Sequence, residues 1–186
     1  LIPMMRDSVV PFLKKRYPNQ FSKTLVLHVF GYPESEIDEI IAPVVKKKWE
    51  TKAVRVAFGI LAHLSRIDVK ATVEGKDAAA CRAVLKGIRN ALHALLGDKV
   101  YGEDEDTLES VVGRMLQSRK SSLASAESCT GGLIAAKITN LPGSSDYFNE
   151  GVVTYSNESK VRLLGVKRST LARHGAVSEE TAREMA

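Results

Sequence analysis

The spacing of apolar and polar residues changes along the chain, and each change predicts where one element ends and the next begins. Residues 24–30 are rich in β-branched and aromatic side chains and predict a strand that ends at the turn signal of residues 31–33. Apolar residues then recur at helical spacing, with Pro43 expected to kink or break that helix. Residues 54–58 and 67–73 alternate apolar and polar side chains and predict two further strands.

A long amphipathic helix follows these strands. Residues 76–96 place valine, isoleucine and leucine along one face, and Gly97 is expected to cap the C-terminal end. The predicted order β-α-β-β-α describes a small sheet that is covered by helices on one side. Ahead of it, residues 8–17 predict a short helix that ends at the breaker Pro18-Asn19.

The second half of the chain opens with residues 100–105, which are acidic and predict a linker. Asp106 is expected to cap the next helix, and Glu109 to complete a capping box with it. The most regular helical pattern of the chain comes next, with apolar residues at i, i+3, i+4, i+7 and i+8: Leu108, Val111, Val112, Met115 and Leu116.

Strands and helices then alternate to the end of the chain. Residues 122–126 and 151–155 predict strands, residues 133–139 predict a helix, and residues 156–157 open another helix. Ser178 is expected to cap the last helix. This alternation is typical of a layered α/β domain, which we expect to be cut short at its C-terminal end.

Composition narrows the classes of function. Of the 186 residues, 44% are hydrophobic and 26% charged, which is ordinary for a globular protein. No apolar run approaches the ~18 residues that span a bilayer, and two cysteines without a CxxC pair do not indicate a disulfide framework or a zinc site. We therefore expect a cytoplasmic protein that needs no metal and no cofactor.

The net charge of +5 raises the question of nucleic acid. Basic residues are scattered among acidic ones, and the single run Lys46-Lys47-Lys48 falls where a helix is expected to end, a position that the helix dipole favours. A nucleic-acid partner is therefore not expected.

The candidate chemistry lies in residues 126–132. Ser128 precedes a glycine pair and an apolar helix, and backbone N–H groups at such a helix start can approach an anion or a developing oxyanion. We therefore expect Thr130, Gly131 and Gly132 to bind substrate. The alternative is a tight turn whose small polar residues only cap the helix.

A serine nucleophile needs a base, and Lys160 is the candidate, because an amine removed from water near other cations can accept a proton. Tyr155 ends a predicted strand and Lys160 falls about one turn into the next helix, so both can face one cleft. The phenol of Tyr155 can relay a proton or orient the lysine. Ser144 and Ser145, on a Pro-Gly loop, are further hydroxyls that can line the site.

Cys129 is the rival nucleophile, since thiols are intrinsically more reactive than hydroxyls. A lone cysteine in such a turn is, however, commonly buried for packing alone. None of the four histidines has a spacing that indicates a metal site or a catalytic triad.

Several motifs occur in order: residues 123–132, 142–145, 151–157 and 174–178. Together they resemble the C-terminal domain of the CinA family, bacterial competence/damage-inducible proteins that are also called nicotinamide mononucleotide deamidases. The resemblance implies hydrolysis of the nicotinamide amide to nicotinate mononucleotide and ammonia, in pyridine nucleotide metabolism. It also implies Ser128 as nucleophile and Lys160 as base, with Tyr155 and Ser145 assisting.

The resemblance extends to domain organisation. Residues 1–22 resemble the tail of the family's N-terminal domain, to which an ADP-ribose pyrophosphatase activity is attributed, and residues 23–99 its KH-like domain. Residues 100–186 resemble part of the deamidase domain, which in the family continues with a glycine-rich loop and an arginine. We therefore expect a fragment whose pocket is incomplete. An open α/β edge also predicts a homodimer.

Two alternatives to an amidase remain. One is a nucleic-acid-binding module built on the KH-like segment, although this segment has no Gly-x-x-Gly loop of the kind that clamps a nucleic-acid backbone. The other is an interaction module of the competence or damage response.

Overall fold

A four-stranded antiparallel sheet with the order β2-β3-β1-β4 forms the centre of the first half of the chain. The computed structural model describes residues 1–64 and 66–186, which divide into two units, Leu1–Asp106 and Thr107–Ala186. The strands of the first unit are β1 (Phe21–Phe30), β2 (Val54–His63), β3 (Arg66–Gly75) and β4 (Val100–Glu103).

Two amphipathic helices, α3 (Glu34–Lys46) and α4 (Ala78–Leu96), contribute the other half of the first core. Their buried residues recur at helical spacing and pack with the buried residues of the sheet; they are Ile37, Ile41 and Val44 of α3 and Cys81, Leu85, Ile88, Leu92 and Leu96 of α4. The predicted order β-α-β-β-α is therefore confirmed. Asp77 caps α4 by accepting the N–H groups of Ala79 and Ala80.

Three expectations for this unit were wrong in detail. Residues 100–105 are not simply a linker, because Val100–Glu103 pairs with β1 as a fourth strand. Pro43 does not break α3, which continues to Lys46, because a proline near the end of a helix removes only its own backbone hydrogen bond; the alternative expectation of a kink stays a prediction. At the N-terminus, helical structure begins at Ile2, six residues before the predicted start at residue 8, and runs through α1 (Ile2–Met4), a π-helical turn (Met5–Val9) and α2 (Val10–Arg16).

The second unit is built around two parallel strands, β5 (Leu123–Glu127) and β6 (Phe148–Val153). Its helices are α5 (Leu108–Arg119), α6 (Leu133–Thr139), α7 (Asn157–Leu164), α8 (Arg168–His174) and α9 (Glu179–Met185). The predicted alternation of strands and helices is confirmed. The cap of α5 is one residue later than predicted: Thr107 accepts the N–H of Ser110, and the Ser110 hydroxyl accepts that of Thr107.

The domain bounds expected from the sequence stay predictions. In the part of the chain that the structure describes, no helix is both long enough and apolar enough to cross a bilayer.

Gly75 lies where β3 ends, and it tests the packing of the first unit. A Cβ at this position would overlap the carbonyl oxygen of Ala53 and approach the Cys81 sulfur to 3.0 Å. We expect Gly75→Ala to lower the free energy of unfolding by about 1–3 kcal/mol, the cost of overpacking, measured by urea denaturation. Gly59→Ala in β2 is the matched control, because a Cβ there meets nothing within 4 Å. Equal effects of the two substitutions would contradict this account.

Candidate active site

Ser128 and Lys160 meet where the two parallel strands of the second unit end. Ser128 directly follows β5, and Lys160 lies in the first half of α7, which follows β6. The Lys160 Nζ atom is 2.9 Å from the Ser128 Oγ atom. The lysine is only 1% exposed, so its amine is withdrawn from water and directed at a hydroxyl.

Local hydrogen bonds and the start of α7 explain why the Ser128 hydroxyl and the Lys160 amine come together. The N–H of Thr154 donates to the carbonyl of Glu127 at 2.8 Å, which fixes the ends of β5 and β6 side by side. Ser156 caps α7 by accepting the N–H of Ser159, so only three residues separate the end of β6 from the start of the helix. Side chains on a helix lean toward its N-terminus, and Lys160 therefore points back to the strand ends.

Among the residues that the structure describes, the amine has three hydrogen-bond partners, and none of them is charged. Besides the Ser128 hydroxyl, Nζ donates to the carbonyl oxygens of Thr154 at 2.8 Å and, more weakly, of Tyr155 at 3.4 Å. In all three contacts Nζ is the donor and an uncharged oxygen accepts. The amine is therefore within reach of the Ser128 hydroxyl, as a general base requires.

Glu127, which the sequence reasoning passed over, organises the turn that carries Ser128. Its buried carboxylate accepts backbone N–H groups of Gly132 at 3.1 Å, Ile134 at 3.0 Å and Ala135 at 2.9 Å. Burial by itself raises the pKa of this carboxyl, but the hydrogen bonds it accepts outweigh that effect and hold the pKa below the ordinary glutamate value. The carboxylate therefore takes the place that an external anion would occupy at the start of α6.

These hydrogen bonds limit the role of the glycine pair, Gly131 and Gly132, in binding an anion. The N–H of Gly132 donates to Glu127 and that of Gly131 to the carbonyl of Ser128, so neither amide is available for the anion contact expected from the sequence. The N-cap of α6 is Gly132, with φ of 95°, and glycine has no side chain to cap the helix, so Glu127 supplies the acceptor instead.

The turn keeps two other backbone donors open. Among the described residues, the N–H groups of Cys129 and Thr130 donate to no protein acceptor. Both residues are exposed and line the same cavity as Ser128. Two adjacent amides directly after a nucleophile are suited to bind a developing oxyanion.

A cavity of about 700 Å³ opens beside Ser128, a size typical of small-molecule sites. One wall is apolar and is formed by Ile134, Val152, Leu163, Leu164 and Met185. Its charged lining residues are Glu127 and Glu150, and no lysine or arginine is among the residues that line it.

The remaining predicted residues are not brought into this cluster. The side chain of Tyr155 is directed outward, with the residue 74% exposed, and only its carbonyl contacts Lys160. Ser144 is buried in a 3-10 turn and Ser145 is exposed; neither lines the cavity, and neither hydroxyl bonds to Ser128 or Lys160. The assisting roles of Tyr155 and Ser145 and the substrate contact of Ser144 stay predictions.

Cys129 is exposed beside Ser128, whereas Cys81 is buried in the first unit. The described residues contain no group of three or more histidine, cysteine, aspartate or glutamate side chains placed to hold a metal ion.

Comparison with known proteins places the chain in a family. One family model, the damage-inducible protein CinA KH domain, matches residues 24–102, and another, the CinA C-terminal domain, matches residues 105–186. The chain belongs to the CinA family.

Individual relatives agree with this placement. A CinA-like protein of Endomicrobium trichonymphae is 48% identical over 184 residues, 99% of this chain and 43% of that protein. A putative competence-damage inducible protein of Caldanaerobacter subterraneus is 43% identical over 186 residues, 100% of this chain and 43% of that protein. The chain thus spans 43% of the length of both relatives. Neither name specifies a reaction.

Among solved structures, the competence/damage inducible protein CihA from Agrobacterium tumefaciens is 43% identical and aligns over 42% of this chain and 48% of that one. The TM-score of this match is 0.42, and the fold described above does not depend on it.

Proposed function

We propose that the second unit carries the nucleophile and base of an amidohydrolase that transfers an acyl group from a carboxamide to water through Ser128. The observation that carries this proposal is the 2.9 Å contact between the Ser128 hydroxyl and the buried amine of Lys160. Two backbone carbonyls accept N–H groups of this amine and fix its direction; in the proposed reaction Lys160 takes the serine proton.

In the first half of the reaction, the Ser128 Oγ atom attacks the amide carbon while its proton passes to Lys160. The carbonyl oxygen becomes an oxyanion and receives the N–H groups of Cys129 and Thr130. Lys160 then gives the proton to the amide nitrogen, the C–N bond breaks, and ammonia leaves. An ester between the acyl group and Ser128 remains.

In the second half, water replaces ammonia. Lys160 accepts a proton from the water as it attacks the ester carbon, and the same two amides receive the second oxyanion. When the C–O bond to Ser128 breaks, Lys160 returns a proton to the serine oxygen. The carboxylic acid product is released, and the serine and the amine are restored.

We propose nicotinamide mononucleotide as the substrate, in line with the resemblance of residues 123–157 to the CinA deamidases. The nicotinamide ring of this nucleotide carries a positive charge, and the carboxylate of Glu150 on the cavity wall suits a cationic ring. The cytoplasmic location and the homodimer predicted from the sequence belong to this proposal as well.

Ammonia release tests the substrate directly. The purified full-length protein is expected to release ammonia from nicotinamide mononucleotide, with nicotinate mononucleotide formed in equal amount. Glutamine serves as the control, because its amide is not attached to a cationic aromatic ring. An absence of ammonia from the mononucleotide, or equal rates with glutamine, would contradict the proposed substrate.

A further inference from the structure

Among the hydrogen bonds of the described residues, the Glu127 side chain has none to Ser128 or Lys160, yet its carboxylate closes the turn that carries the serine. Both oxygens are used: one accepts the N–H groups of Gly132 and Ile134 and the other that of Ala135. The nearby Thr130 hydroxyl also helps to hold the pKa of this carboxyl down. A chain of five residues, from Ser128 to Gly132, is therefore held between the end of β5 and the first turn of α6.

The same residue is fixed from the other side by its backbone. Its carbonyl accepts the N–H of Thr154, and the carbonyl of Thr154 in turn accepts an N–H of Lys160. The turn with the nucleophile and the strand end with the base are thus connected through one residue. Displacement of the turn by a fraction of an ångström changes the 2.9 Å distance on which proton transfer depends.

We propose that Glu127 is a positioning residue for amide hydrolysis: it holds the Ser128 turn so that the hydroxyl meets Lys160 and the N–H groups of Cys129 and Thr130 stay open to the oxyanion. The inference rests on the proposed function. It goes beyond it in assigning the start of α6, which looks from the sequence like a substrate anion site, to a carboxylate of the chain itself. The helix has seven residues, and this internal partner already serves its first-turn amides.

Glu127→Gln tests the positioning role while leaving the volume of the side chain nearly unchanged. The amide has nearly the same size, but only one of its two terminal groups accepts hydrogen bonds, so at least one N–H at the start of α6 faces another donor. We expect kcat for ammonia release to fall about 10–10²-fold with KM little changed, because a misplaced nucleophile affects the chemical step more than binding. Glu158→Gln removes the same charge from an exposed position in α7 and is the matched control.

Two further measurements accompany kcat: the first distinguishes positioning from loss of folded protein, and the second tests whether the Glu127 carboxylate stabilises the fold. The first is the rate at which a fluorophosphonate probe labels Ser128: the P–O bond forms, fluoride leaves, and the serine proton passes to Lys160. We expect Glu127→Gln to slow labelling about as much as it lowers kcat.

The second measurement is the stability of the fold against pH. Because the pKa of Glu127 is lowered in the folded state, its ionised form stabilises the fold above the ordinary glutamate pKa, and this contribution disappears as the pH falls through the folded-state pKa. The stability difference between parent and variant is therefore expected to shrink below about pH 4.

The outcomes are separable. If the parent hydrolyses the mononucleotide and Glu127→Gln does so at the parental kcat, the positioning role is overturned and the proposed function stands. If kcat and labelling fall only in proportion to the folded fraction, the role is also overturned. If the parent labels at Ser128 but releases no ammonia, the substrate is wrong, and slower labelling of the variant still supports positioning. If the parent neither labels nor turns over, both proposals fail.

Discussion

Ser128→Ala is expected to lower kcat for ammonia release by about 10³–10⁶-fold, the range for loss of a catalytic serine that acts together with its base. Without the hydroxyl no acyl-enzyme forms, and Lys160 has no proton to accept. The side chain is small and lies at the start of a turn, so we expect the fold to be retained. The measurement is steady-state kinetics of the full-length protein, with circular dichroism to check folding. Ser118→Ala is the matched control, because that exposed hydroxyl donates to the carbonyl of Met115 in its own helix, α5.

Substitution of Cys129 tests which candidate nucleophile reacts, the Ser128 hydroxyl or the Cys129 thiol. Cys129→Ala keeps the backbone N–H that we assign to the oxyanion and removes only the exposed thiol. Its effect is therefore expected to be far smaller than that of Ser128→Ala. The reverse order, with Cys129→Ala inactive and Ser128→Ala active, would make the thiol the nucleophile and overturn the serine mechanism.

Lys160→Met is expected to lower kcat by at least about 10³-fold, because methionine fills much of the same space but cannot accept a proton. Lys160→Arg is expected to be as inactive, since a guanidinium keeps its proton throughout the accessible pH range. Turnover by Lys160→Met within tenfold of the parent would show that another group, or water, serves as the base.

A shortened side chain gives the control for this second prediction. Lys160→Ala leaves an empty channel where the aliphatic stem of the lysine was buried. Propylamine added to this variant is expected to restore part of the activity, and more so at higher pH, where more of the added amine is uncharged. Propylamine is not expected to rescue Ser128→Ala, because that variant lacks the nucleophile rather than the base.

The sequence predicted those parts of the fold whose signals are local. The helix over residues 133–139 has the predicted bounds, and Ser178 caps the last helix as expected, because periodicity and capping are properties of a few neighbouring residues. The pairing of Val100–Glu103 with β1 was missed, since its partner lies about seventy residues away and an acidic composition suggested exposure.

The sequence likewise predicted one part of the candidate site and missed another. Ser128 and Lys160 were singled out by residue type and by their positions at two strand ends, and parallel strands bring such ends together. The role of Glu127 was missed because it depends on side-chain hydrogen bonds that no spacing rule describes. The phenol of Tyr155 is directed outward for a related reason: the residue falls after β6 has ended, where alternation no longer fixes the direction of a side chain.

The carbonyl oxygens of Thr154 and Tyr155 that accept from Lys160 have an evolutionary consequence. Every amino acid supplies a carbonyl, so a substitution at position 155 alters the side chain and leaves the acceptor in place. Point mutations at these positions therefore leave the direction of the Lys160 side chain unchanged, because that direction depends on the path of the backbone. Insertions or deletions between β6 and α7 are the changes to which the base is vulnerable, and the length of that junction is a better guide to a working lysine than the identity of its side chains.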